Sequence, residues 1–140
     1  MKAILPALTL LAAAAILPRA AFAQDQVDCN NAQTQMEMNF CAEQEFEAAD
    51  AELNALWKEA RAAAKALDED QPEENMKGAV AALLSAQRAW ITYRDGQCEL
   101  AGFSARGGTM EPMLVSGCKA GLTRTRNAEL KTFIDEAAGG

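Results

Sequence analysis

Cys29, Cys41, Cys98 and Cys118 are the side chains that most narrow the chemistry open to this 140-residue chain. Their number is even and no two form a C-x-x-C pair, so neither a thioredoxin-like redox motif nor a zinc knuckle is supported. In an oxidising compartment they read as two disulfides, for which three connectivities exist. The preferred pairing is Cys29–Cys41 and Cys98–Cys118. Cys98 ends one helical stretch and Cys118 lies near the start of its neighbour, while Cys29 sits in a polar lead-in that can fold back along the first helix. The chain has no histidine. That removes Ser-His-Asp and Cys-His catalysis, histidine general bases and histidine metal ligands together. Only carboxylate chemistry remains, and no carboxylate pair stands out. The chain therefore reads as a non-enzyme, with no catalytic residue, cofactor or metal site. Residues 68–74 hold five carboxylates but lack the alternating ligands and central glycine of a calcium loop, and they read as an acidic turn.

A second group of polar residues falls on otherwise apolar stripes. Asp50 is four residues after Phe46, Gln87 is four after Leu83, Arg94 is four after Trp90, and Arg126 lies midway between Leu122 and Leu130. A charge on a buried face is costly unless paired, so these four predict an internal network with Asp50 accepting from Arg94 or Arg126. Their expected role is to fix helix register. Arg106, followed by Gly107 and Gly108, is the candidate for a protruding, partner-binding turn.

Three helices would position these groups. Thr34 with Glu37 forms a capping-box signature, and apolar residues then recur at steps of three and four through Leu67. Pro72 and two glutamates predict the first turn of a second helix running to about Ala101, with Met76, Val80, Leu83, Leu84, Trp90 and Ile91 on its apolar face. Thr109 and Pro112 predict the start of a third helix, which should fray over residues 137–140. No alternating β pattern and no repeat occurs. The expected fold is all-α, a three-helix up-down-up bundle with two disulfides.

The N-terminus carries an export signal: Lys2, an apolar run over residues 4–17, and the small-x-small site Ala21-Phe22-Ala23. Residues 1–23 read as a signal peptide and residues 24–140 as one mature helical domain, periplasmic or secreted, without a lipid-anchoring cysteine at the cleavage site. Loss of Lys2 and Arg19 moves the net charge from −7 to −9. Such a surface repels nucleic acid and anionic membrane and attracts cationic proteins.

Three blocks, MNFCAEQEFEAADAELNALWKEA, LLSAQRAWITYRDGQC and GGTMEPMLVSGCKAGLTRTRNAEL, resemble in order and spacing the LprI-like lysozyme-inhibitor N-terminal domain family. The likeness spans residues 29–130, and its most specific element is Gln87-x-x-Trp90-x-x-x-Arg94-x-x-x-Cys98. Trp57 stands where the family has tyrosine or a similar aromatic. The resemblance implies an exported helical binding protein and, as partner, a cationic lysozyme-type glycosidase. A general envelope interaction module with another partner is the alternative. Intact-mass measurement of the exported protein should give the mass of residues 24–140; a mass retaining residues 1–23, or carrying lipid, contradicts the assignment.

Overall fold

The structure, a computed structural model, describes residues 27–139, and the expected export signal lies outside them. The first helix, α1, spans Gln35–Glu69, 35 residues and about 52 Å at 1.5 Å per residue. It opens on the expected capping box: Thr34 Oγ1 accepts from the Glu37 N–H at 3.2 Å, and the Glu37 carboxylate accepts from the Gln33 and Thr34 N–H groups at 2.8 Å each. The backbone N–H of Thr34, then that of Gln33, holds the Glu37 carboxyl below its ordinary range.

The second helix begins later than its sequence predicts. Pro72 lies in an irregular connection, followed by a 3₁₀ turn at Glu74–Met76, and α2 spans Ala79–Gly102. Met76 therefore falls off the α2 face and is exposed. Gly78 enters α2 at φ +144°, a conformation that side chains rarely adopt, and it has no side chain with which to cap. The cap comes from α1 instead. The Asp68 carboxylate accepts from the N–H groups of Gly78, Ala79 and Val80 at 2.7, 2.8 and 3.1 Å. It thereby fills three amides that a helix start leaves without partners. Those three N–H groups, Gly78 first, lower the Asp68 pKa.

A 3₁₀ turn at Phe103–Ala105 leads into a tight loop and α3, Glu111–Gly139. Pro112 sits in the first turn of α3, as expected, but the helix holds to Gly139 where fraying is expected from residue 137. Cross-links give the directions. Asn39 meets Thr109, Glu43 meets Ser116 and Glu52 meets Asn127, so α1 and α3 run parallel. Asp50 meets Arg94 while Asp68 meets Gly78, and Gln87 meets Arg126 while Cys98 meets Cys118, so α2 runs against both. The result is the up-down-up bundle that the sequence predicts.

Leu53, Leu56 and Ala60 of α1 form the core with Leu130 of α3, and Leu83, Trp90, Phe133 and Ile134 pack against it. Small residues thicken this contact little: Ala60, Ala64 and Ala120 are fully buried. At the other end, a Cβ at Gly102 would stand 2.7 Å from Val115 Cγ2, so glycine lets α2 approach α3 there. The disulfides are Cys29–Cys41 and Cys98–Cys118, as expected, with Cα separations of 5.5 and 5.4 Å. They close short loops, each contributing about 3 kcal/mol in the chain-entropy view.

Carboxylates with lowered folded-state pKa values stabilise the fold above their unfolded pKa, near 4, and that stabilisation is lost as pH falls through the folded value. Thermal melting should therefore be flat from neutrality to about pH 5 and fall steeply below about pH 4. Asp68→Asn should melt lower than the parent at pH 7 and show a flatter acid limb. Equal melting of the two proteins at pH 7 would remove the cap from the account.

Candidate functional site

Arg94 anchors the first polar cluster. Its side chain is 10% exposed and its guanidinium lies 5.3 Å from the Phe46 ring centroid and 5.1 Å from that of Trp90. Nη1 donates to Asp50 Oδ1 at 3.2 Å and Nε to Asp95 Oδ1 at 2.9 Å. Arg126 forms a second cluster: Nε donates to Gln87 Oε1 at 3.0 Å and Nη1 to Glu129 Oε2 at 2.8 Å. The four polar residues predicted as one network thus divide into two pairs, with Trp90 beside both guanidiniums. Arg126 does not reach Asp50. The reason is register: residues 87 and 94 are two turns apart on α2, about 10 Å, so each faces a different partner. Asp50 is not a buried carboxylate either. It is 39% exposed and also accepts from Asn54 Nδ2 at 3.1 Å.

The sequence reading missed a polar seam between α1 and α3. Asn127, 2% exposed, donates through Nδ2 to the Ala49 carbonyl and to Glu52 Oε2, both at 3.0 Å. Lys131 Nζ reaches Glu52 Oε1 at 2.5 Å, and Ser116 Oγ donates to Glu43 Oε2 at 2.5 Å. The bond from Lys131, then that from Asn127, lowers the Glu52 pKa. Ser116, Ala120, Thr123, Asn127 and Leu130 are all buried at steps of three and four. That spacing was available in the sequence, but a periodicity search weighted for apolar residues passes over it.

α2 meets α1 less closely, and two adjoining cavities open between them. One, about 310 Å³, is lined by Asp50, Leu53, Asn54, Gln87, Ile91 and Arg94. The other, about 550 Å³, lies beside Lys58, Arg61, Lys65 and Val80. Trp57 borders both.

The Arg106 turn sits at the far end of the bundle and is held from within. Arg106 stacks on Phe103 at 4.6 Å and pairs with Glu111 at 3.0 Å and Glu99 at 3.7 Å. Gly107, at φ +76°, donates its N–H to Glu111 Oε2 at 2.7 Å, and the Gly108 N–H bonds to the Ala105 carbonyl at 2.8 Å. Asn39 Nδ2 ties the α1 start to the Thr109 carbonyl at 2.9 Å. All four cysteines are paired, and no group of three or more metal-ligating side chains occurs among the described residues.

Because Asp50 is partly solvated while Arg94 is enclosed by two rings, the two sides of the pair should be unequal. Arg94→Ala should cost about 2–3 kcal/mol through lost ring packing and cation–π contact. Asp50→Ala should cost under about 1 kcal/mol, since Asp95 still faces the guanidinium. Denaturant unfolding of both variants measures this, and equal costs would contradict it.

Comparison with known proteins bears on the chain as a whole. No solved structure matches the chain. It is 52% identical over 139 residues to Uncharacterized protein R02472 of Rhizobium meliloti (strain 1021), covering 98% of this chain and 99% of that protein. The family described as Lysozyme inhibitor LprI matches residues 28–130, which include both disulfides, the Arg94 and Arg126 pairs and the Arg106 turn. The chain belongs to the LprI lysozyme inhibitor family.

Proposed function

We propose that the protein is an exported, non-catalytic inhibitor of lysozyme-type glycosidases and that it engages them through the disulfide-held end of the bundle. The family match over residues 28–130 carries this reading. The end in question has the make-up of an interface. Met36, Phe40, Leu100, Phe103 and Met110 are five of the nine exposed large apolar side chains among the described residues. Glu37, Glu99 and Glu111 belong to the same end, so exposed apolar side chains and carboxylates occur there together.

Both disulfides lie at this end, and the bonds to Gly107 and Gly108 hold the turn, so little conformational entropy is lost on binding. The acidic balance of the chain favours encounter with a cationic enzyme and hastens it at low salt. A glycosidase cleft is lined by two carboxylates, and Arg106 could exchange Glu99 and Glu111 for them. Export through the residue 1–23 signal would bring the protein to where such enzymes act.

The test is turnover of cell-wall substrate by several lysozymes with the mature, oxidised protein in molar excess, at low and moderate salt. Inhibition is expected at both, with faster association at low salt. Phe103→Asp should weaken it at least about tenfold, as for an interface anchor. Arg106→Ala should also weaken it while changing the melting temperature little, because its ion pairs are largely solvated. No inhibition of any lysozyme by folded protein would remove the function. Inhibition insensitive to both substitutions would remove the site.

A further inference from the structure

Lys58, Arg61 and Lys65 stand at steps of three and four on α1 and so form one cationic row about 10 Å long. They rim the 550 Å³ groove whose walls are Trp57, Ala62 and Val80. Lys65 pairs with Glu69 at 3.1 Å, but both side chains are largely exposed and such a pair is worth little. Lys58 and Arg61 make no ion pair or side-chain hydrogen bond among the described residues. In a chain of net charge −7, a row of cations in which Lys58 and Arg61 have no such partner among the described residues, and Lys65 only an exposed one, is out of keeping with the rest of the surface.

The groove continues past Trp57 into the 310 Å³ cavity, where Ile91 is 39% exposed. Leu84, 38% exposed, lies on the same α2 stripe between Val80 and Ile91. Together the two cavities follow residues 50–65 of α1, about 22 Å of helix axis.

We infer that the α1/α2 groove binds an acidic amphipathic segment of a partner protein, laid along the bundle as a fourth helix. Its apolar side chains pack on Trp57, Val80 and Ile91, and its carboxylates meet Lys58, Arg61 and Lys65. A single small anion calls for cations that converge, and these are spread along a line. An extended polyanion would make no use of the apolar walls and would be repelled by the acidic surface beyond them. A second copy of this chain is a poor occupant, since its acidic α1 face is engaged with its own α3 through Glu43, Glu45 and Glu52. A cationic lysozyme is repelled here, so the site is independent of the proposed inhibitory end.

The experiment titrates the mature, oxidised protein with a synthetic helical peptide of about 16 residues, long enough to follow the groove. The peptide carries leucine on one face and glutamate on the other. One control replaces each glutamate with lysine, and another replaces each leucine with serine. Calorimetry gives affinity, and amide and indole NMR shifts give location. The acidic amphipathic peptide should bind at least tenfold more tightly than either control, with shifts at the Trp57 indole and along residues 50–65. The combined Lys58→Glu, Arg61→Glu and Lys65→Glu variant should bind at least tenfold more weakly with an unchanged melting temperature. Equal binding of the serine control, undiminished binding by the charge-reversed variant, or no binding up to millimolar peptide would overturn the inference. So would self-association of the parent that the charge-reversed variant abolishes, which would make a second copy the occupant.

Discussion

The close pairing of α1 with α3 is the constraint from which the rest of this structure follows. An asparagine side chain, Asn127, spans the seam to bond the α1 main chain at Ala49, which requires the two helices to approach closely. Buried alanines at 60, 64 and 120 permit that approach, and Glu52 receives both Asn127 and Lys131 from α3. Hydrogen bonds of this kind are directional, so they fix the register of two parallel helices that a seam of alanine and leucine alone would leave free to slide. Once α1 and α3 are locked, α2 has only the remaining face of the pair to cover. It is held there at discrete points: the Asp68 cap at one end, Arg94 between two rings in the middle, and the Cys98–Cys118 bridge with Gly102 at the other.

That division of labour separates two surfaces of opposite character. At the disulfide end, covalent links and short-range backbone bonds hold exposed apolar side chains among acids. Along α1 and α2, contact at discrete points leaves an open groove with a tryptophan in its wall and a row of cations on its rim. The charge on each surface favours the partner proposed for it: a cationic one at the acidic end, an acidic one in the basic groove.

What the sequence made legible depended on how far apart the interacting residues are. The α1 capping box acts over three residues and reads directly from Thr34 and Glu37. The disulfides were legible because each joins cysteines close in sequence, Cys29 in the lead-in to Cys41 in the first turns of α1 and Cys98 near the end of α2 to Cys118 in the first half of α3. The α2 start was not, because its cap, Asp68, lies ten residues before Gly78, and nothing local marks a carboxylate as a cap for the next helix. Polar residues on apolar stripes pointed to Asp50, Gln87, Arg94 and Arg126, but helical periodicity carries no information on inter-helix register. That is why Asp50 meets Arg94 while Arg126 turns to Gln87. Asn127 escaped notice because small and polar residues make up its stripe. Arg106 was legible as part of a turn, whereas its pairing with Glu99 and Glu111 emerges only once α2 and α3 are brought together.

Amide hydrogen exchange of residues 24–140, alone and with lysozyme at saturating concentration, decides whether the two surfaces serve different partners. Exchange should slow at residues 36–40 and 103–110 in the complex, with residues 57–65 exchanging as in the free protein. Slowed exchange along residues 57–65, with residues 103–110 unchanged, would place the enzyme in the groove and rule out the disulfide-held end as its site.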